Sequence, residues 1–209
     1  MSPIIKVCGM RDPENIRAVE SLGISLMGFI FWPRSSRYVS EKPAYLPTKA
    51  KRVGVFVDEE ISVVRQTAES FSLDIIQLHG HESPDYLRRL EDMTLIKAFN
   101  IATEDDLQQT RAYKGVADYF LFDTKGKLAG GNGAQFDWGV LDSYHGRTPF
   151  LLSGGIGPAD AQRVTAFSHD RCVGFDLNSR FETSPGVKNV EALRQFLASG
   201  VRHAPQKGW

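Results

Sequence analysis

Apolar and polar positions follow two rhythms along this chain, and each gives way to the other at short intervals. Apolar runs of strand length fall at Ile4–Met10, Leu26–Phe31, Arg52–Asp58, Asp74–His79, Thr94–Asn100, Asp118–Thr124, Pro149–Gly154 and Arg171–Ser179. Val-Gly-Val-Phe-Val and Tyr-Phe-Leu-Phe are apolar on both faces, as in a parallel sheet covered on both sides. Helical spacing fills most of the gaps. Asp12-Pro13 reads as an N-cap and first-turn proline, followed by Ile16, Val19 and Leu22 on one face and Gly23 as a stop. Ile61, Val64, Ala68 and Phe71 repeat the pattern. Ser83-Pro84, Thr103-Glu104-Asp105-Asp106 and Pro158 open further helices, and Val190–Ser199 closes the chain as one. A weaker helix is expected over Pro43–Lys49, after a long basic loop at Trp32–Lys42.

Eight strands alternating with helices define an α/β protein, and two architectures suit it: an open doubly wound sheet or a closed barrel. The count of eight favours a single (β/α)8 TIM barrel with parallel strands, which also removes sheet edges. The barrel is expected to span residues 1–200 as one catalytic domain, with 201–209 a loose C-terminal tail.

Composition narrows the function classes. The 209 residues are 42% hydrophobic and 24% charged, and the formal net charge is +0. Neither a basic stripe nor a charge block points to nucleic acid, and no apolar run is long enough to span a bilayer. The first residues lack the regions of a signal peptide, so a cytoplasmic protein is expected. The two cysteines, Cys8 and Cys172, form no disulfide framework and no zinc spacing. They fall at opposite ends of their strands, too far apart to pair. Cys172 reads as structural; Cys8, followed by Gly9 at a strand end, is the reactive candidate.

Active sites of such barrels lie at the carboxyl ends of the strands. Those ends carry Cys8 with Arg11, Arg34-Ser35-Ser36-Arg37, Asp58, Gln77 and His79, Lys97, Asp123-Thr124, Ser153-Gly154-Gly155-Ile156-Gly157, and Asp176, Asn178 and Ser179. The glycines at 154, 155 and 157 suit a phosphate cradle, because backbone N–H groups approach an anion closely there and a helix start follows. Gly130-Gly131-Asn132-Gly133 after the sixth strand reads as a lid or a solvated loop.

Together these segments resemble the phosphoribosylanthranilate isomerase family. The resemblance runs along essentially the whole chain, through Lys6-Val7-Cys8-Gly9-Met10-Arg11, Ser36-Arg37-Tyr38-Val39, Val53-Gly54-Val55-Phe56-Val57, Gln77-Leu78-His79-Gly80, Phe122-Asp123-Thr124, Gly130-Gly131-Asn132-Gly133 with Phe136-Asp137-Trp138, Ser153-Gly154-Gly155-Ile156, and Ser184-Pro185-Gly186-Val187-Lys188. It implies an intramolecular aldose–ketose isomerase, which converts N-(5-phosphoribosyl)anthranilate to 1-(2-carboxyphenylamino)-1-deoxyribulose 5-phosphate in tryptophan biosynthesis. The family's general base falls on Cys8, its general acid on Asp123, and the arginine at the anthranilate end on Arg37. No metal or organic cofactor is implied. The expected partner is the phosphosugar–anthranilate substrate, with no nucleic acid and no membrane, in a monomer or homodimer.

His79 and Asp176 are further candidates for substrate contact, each with a packed, internally satisfied role as the alternative. The phosphate set is Gly154, Gly155, Gly157, Asn178 and Ser179. Asp123 must carry a proton when it acts, and burial beside a phosphate favours the protonated form. Cys8 must supply thiolate, for which Lys6 and Arg11 are the nearby cations. One departure stands out: Asn178-Ser179-Arg180-Phe181-Glu182 replaces the usual Ser-Ser-Gly-Val-Glu, so Arg180 stands where the family has glycine. Either a glycine backbone contact to phosphate is altered there, or the guanidinium pairs with the anion directly. The competing readings are another phosphate-binding barrel isomerase or epimerase, and a catalytically silent ligand-binding barrel.

Overall fold

A computed structural model describes residues 2–124 and 137–201. Its core is a closed parallel barrel of eight strands in sequence order: β1 (Ile4–Val7), β2 (Leu26–Ile30), β3 (Lys51–Phe56), β4 (Ile75–Leu78), β5 (Thr94–Ile101), β6 (Tyr119–Thr124), β7 (Phe150–Ser153) and β8 (Cys172–Leu177). β8 pairs back onto β1, with Asp176 opposite Lys6. Leu26, Val53, Ile75, Ile96, Ala98, Leu121, Leu151 and Val173 fill the barrel interior. A larger apolar layer packs the outer faces of the strands against the surrounding elements.

The helix starts follow the N-cap logic. Asp12 accepts the Asn15 N–H at 2.7 Å to open α1 (Pro13–Glu20). α2 (Ile61–Phe71) buries Ile61, Val64 and Ala68. Ser83 accepts the Tyr86 N–H at 3.2 Å to open α3 (Pro84–Arg88). α4 (Ala161–Ala166) follows the turn after β7, and Asn189 caps α5 (Val190–Ala198). A small hairpin, β9 (Glu182–Ser184) with β10 (Val187–Lys188), lies between β8 and α5.

Two expected helices take another form. Thr103 does cap its segment, with Asp106 as the reciprocal partner, but Glu104–Tyr113 winds as a 3₁₀ helix. Its side chains are mostly polar and only Leu107 and Thr110 are buried, so little tertiary packing supports an α-helix there. A cluster of rings supplies the outer packing over β5–β7. Phe122 lies 4.6 Å from Phe150, and Phe99 stands edge-on to Phe120 at 5.1 Å.

Residues 43–49 are irregular rather than helical. Pro47 removes a donor from the middle of the segment, and Glu20 at the end of α1 supplies a different set of bonds. One Glu20 oxygen accepts the N–H groups of Thr48 and Lys49 at 2.6 Å each, and the other accepts the Tyr45 hydroxyl. Burial pushes this carboxyl up, but those donors outweigh burial and leave it below its ordinary range. Glu20→Ala is expected to lose about 2 kcal/mol of stability, because a cluster of backbone donors, the buried Ala50 N–H among them, loses its acceptor. The sign is that of a lowered carboxyl: the stabilisation is present above the ordinary carboxyl range and fades as pH falls through the lower folded value. Urea denaturation of wild type and variant at neutral and acid pH checks both parts.

Candidate active site

A cavity of about 450 Å³ opens at the carboxyl ends of the strands, within the usual size for small-ligand sites. Its wall includes Cys8 after β1, Gln77 and His79 from the end of β4, Asp123 from β6, Ser153 from β7 and Asp176 from β8. Gly154, Gly155, Ile156, Asn178 and Ser179 complete one side.

The pleat explains who faces inward. Ile4, Lys6 and Cys8 share a face because side chains alternate with a period of two. The slot for the thiol comes from β2: a methyl group at Gly28 would stand 2.7 Å from Cys8 Sγ. In β8 the period slips. Val173 packs in the interior, yet Asp176 also lines the cavity, and these two are three residues apart. A register shift where β7 meets β8 inserts the extra residue that re-aims Asp176 inward.

Lys6 is fully buried and pairs with Asp176 at 2.8 Å; Ser153 donates to the other Asp176 oxygen at 3.1 Å. Burial pulls the Lys6 ammonium down, but Asp176 and hydrogen-bond contact with Cys8 outweigh it and hold the ammonium above its ordinary value. Burial pushes the Cys8 thiol up. Lys6 and Lys188 oppose that shift and Asp176 adds to it, and the thiol stays above its ordinary value. Burial thus favours the Cys8 thiol, while two cations, Lys6 and Lys188, stand against it. Arg11 is not one of them: its guanidinium reaches the Pro185 carbonyl at 2.9 Å, on the surface. Cys172 is buried at the far end of its strand, and burial pushes its thiol up to about 12.

His79 Nε2 stands 3.6 Å from Asp123 Oδ2, and Gln77 Nε2 lies 3.2 Å from His79 Nδ1. Arg37 does not line the cavity. Its stem crosses Gly9, where a methyl group would meet it at 2.6 Å, and its Nε and Nη2 grip Glu182 at 2.8 and 2.6 Å. Lys188 binds the same carboxylate at 2.6 Å and Asn178 Oδ1 at 2.8 Å. Burial raises the Glu182 carboxyl, but Arg37 and Lys188 outweigh it and leave it below its ordinary range. Glu182 and Lys188 thus form a frame around Arg37 that period and spacing alone did not single out.

On the anion side, Gly154 and Gly155 take φ of 97° and 68°, the left-handed region open to glycine. The Gly155 and Ile156 N–H groups make no hydrogen bond among the described residues. Gly157 is outside the cavity wall, and its N–H donates to Asp160 at 2.8 Å. Arg180 is exposed beside Gly157, with no hydrogen bond or ion pair among the described residues. Two strand-end residues turn away from the cavity. Lys97 pairs with Glu82 at 3.2 Å on the outer side of β5, and Asp58 binds the His81 ring at 3.1 Å. The Gly130–Gly133 loop and residues 202–209 lie outside the described residues.

A closed parallel barrel whose thiol, carboxyls and glycine turn meet at one mouth is a (β/α)8-barrel enzyme. Residues 5–199 match the family model described as N-(5'phosphoribosyl)anthranilate (PRA) isomerase, and the chain belongs to that family. An N-(5'-phosphoribosyl)anthranilate isomerase of Phocaeicola vulgatus is 50% identical over 196 residues, covering 93% of this chain and 96% of its own. One from Parabacteroides distasonis is 46% identical over 213 residues, covering 98% and 96%. Among solved structures, phosphoribosyl anthranilate isomerase from Thermotoga maritima is 30% identical, with a TM-score of 0.79 and coverage of 95% and 98%. Another, in complex with reduced 1-(o-carboxyphenylamino)-1-deoxyribulose 5-phosphate, is 28% identical with a TM-score of 0.78 and the same coverage. No helix among the described residues is long and apolar enough to cross a membrane.

Proposed function

We propose that this chain catalyses the Amadori rearrangement of N-(5-phosphoribosyl)anthranilate in tryptophan biosynthesis, with Cys8 as general base and Asp123 as general acid. Family membership supplies the reaction. The observation that carries the residue roles is the single cavity into which β1 delivers Cys8 and β6 delivers Asp123, three strands apart in one direction around the barrel and five in the other. Asp123 protonates the furanose ring oxygen, and the ring opens to a protonated Schiff base. Cys8, as thiolate, removes the C2′ proton to give an enolamine that tautomerises to the ketone. Lys6 and Lys188 supply the positive charge beside that thiolate.

The phosphate sits on the Gly154–Gly155 turn and the Asn178–Ser179 backbone, with N–H groups aimed at its oxygens. Asp176 and His79 border the sugar. Arg37, held by Glu182 along one edge and standing outside the cavity wall, offers its other edge to the anthranilate carboxylate where the substrate extends past that wall. On this reading the enzyme is a cytoplasmic single-domain monomer or homodimer. The test is direct: the purified chain quenches the fluorescence of freshly made N-(5-phosphoribosyl)anthranilate and rescues a tryptophan auxotroph lacking this step, whereas its Cys8→Ala form does neither. Failure of the wild-type chain in both assays would overturn the assignment.

Among the described residues the cavity wall carries no lysine or arginine, and Arg180, exposed beside the Gly157 turn, has no partner there. Arg180→Gly is expected to raise KM severalfold while leaving kcat within about twofold, since phosphate contact persists unchanged into the transition state. Steady-state kinetics check it, and an unchanged KM removes Arg180 from the site.

A further inference from the structure

Gln77 is almost fully buried in the cavity wall, yet its Oε1 has no hydrogen-bond partner among the described residues. Half-satisfying a buried amide costs about 1–3 kcal/mol, and a side chain such as methionine would fill the same space without that cost. The amide earns its place through its other end. Gln77 Nε2 can only donate, so His79 Nδ1 at 3.2 Å must accept. A neutral imidazole that accepts at Nδ1 carries its proton on Nε2, and that nitrogen faces Asp123 Oδ2 at 3.6 Å.

We propose that Gln77 is a positioning residue: it locks His79 as the Nε2–H tautomer and directs that proton to one oxygen of Asp123. The proposal rests on Asp123 being the general acid. With the His79 N–H facing Oδ2 from 3.6 Å, the acidic proton is placed on the other oxygen, free to reach the ring oxygen of the sugar. The same contact blocks a second state. Protonating Nδ1 would set two N–H groups against each other, so Gln77 disfavours an imidazolium. A full positive charge beside Asp123 would hold it as carboxylate and remove the proton it must give. Among the described residues, no lysine or arginine lines the cavity wall. Of the neighbouring groups, Asp58 at the end of β3 is turned to His81, Lys97 of β5 is turned to Glu82, and Cys8 and Asp176 lie with Lys6 on the wall formed by β1 and β8.

Two substitutions and one spectrum test this. Gln77→Glu keeps the shape but presents an acceptor to Nδ1, and so favours the imidazolium. Gln77→Met keeps the volume and removes the donor. Ring-nitrogen NMR of the intact protein, with His79 assigned through His79→Asn, should show wild-type His79 protonated at Nε2 alone. Gln77→Glu should show both nitrogens protonated at neutral pH, with kcat lowered about tenfold or more and KM within threefold. Gln77→Met should fold at least as stably as wild type, show a mixed tautomer and fall between the two in kcat. A wild-type proton on Nδ1, or unchanged kcat in both variants, overturns the proposal. Should Asp123→Ala keep its turnover, the acid assignment fails instead, while the tautomer spectrum still reports on Gln77 alone.

Discussion

Cys8→Ala is expected to lower kcat/KM by about 10³-fold or more, the scale on which a single proton-transfer group acts. The fold should survive. The thiol occupies a slot cut by Gly28, so alanine removes one atom without overpacking, and the Lys6–Asp176 pair persists beneath it. Circular dichroism and thermal melting should therefore match wild type while the fluorescence assay falls silent. Asp123→Ala should fall as far, since its loss stops ring opening before Cys8 has a proton to remove. Near-normal turnover in either variant would sink that residue's role. The buried thiol adds a pH signature. Because burial holds Cys8 above its ordinary value, the thiolate fraction of free enzyme, and with it kcat/KM, should climb as pH rises from neutral into the alkaline range.

How much of this was legible in the sequence follows from which interactions are local. The eight strands, the N-caps at Asp12 and Ser83 and the glycine turn at 154 and 155 rest on neighbouring residues, and the barrel follows from their order. Membership of the family was equally legible, because its motifs run in order along the chain. Facing was harder. Lys97 sits in the right strand, but its place between the interior residues Ile96 and Ala98 turns it outward, into Glu82. Nothing in the local pattern of Arg171–Ser179 announces the register shift that brings Asp176 inward. Long-range partners were the least visible. Arg37 and Glu182 stand 145 positions apart, and only the closed fold sets Lys188 against both Glu182 and the neighbourhood of Cys8. The irregular segment 43–49 has the same cause: its bonds go to Glu20, a residue of another element.

The second large effect is expected at Lys6, and it separates stability from catalysis. Lys6→Met leaves the Asp176 carboxylate buried with Ser153 as its one remaining side-chain donor among the described residues, and a buried charge stripped of its partner costs about 3–5 kcal/mol. Adding Asp176→Leu removes the stranded charge, so the double variant should recover most of that loss, because an apolar pair replaces an ion pair at little cost. Denaturant melts of the two single variants and the double variant give the coupling. Activity should not recover with stability. Without Lys6, one of the two cations beside Cys8 is gone and burial acts on the thiol with only Lys188 to oppose it. The ultraviolet thiolate signal of Cys8, read against a Cys8→Ala blank, should then appear at higher pH than in wild type, and kcat/KM should follow it. A stable double variant with wild-type turnover and an unmoved thiolate titration would show that Lys6 and Asp176 serve the fold alone.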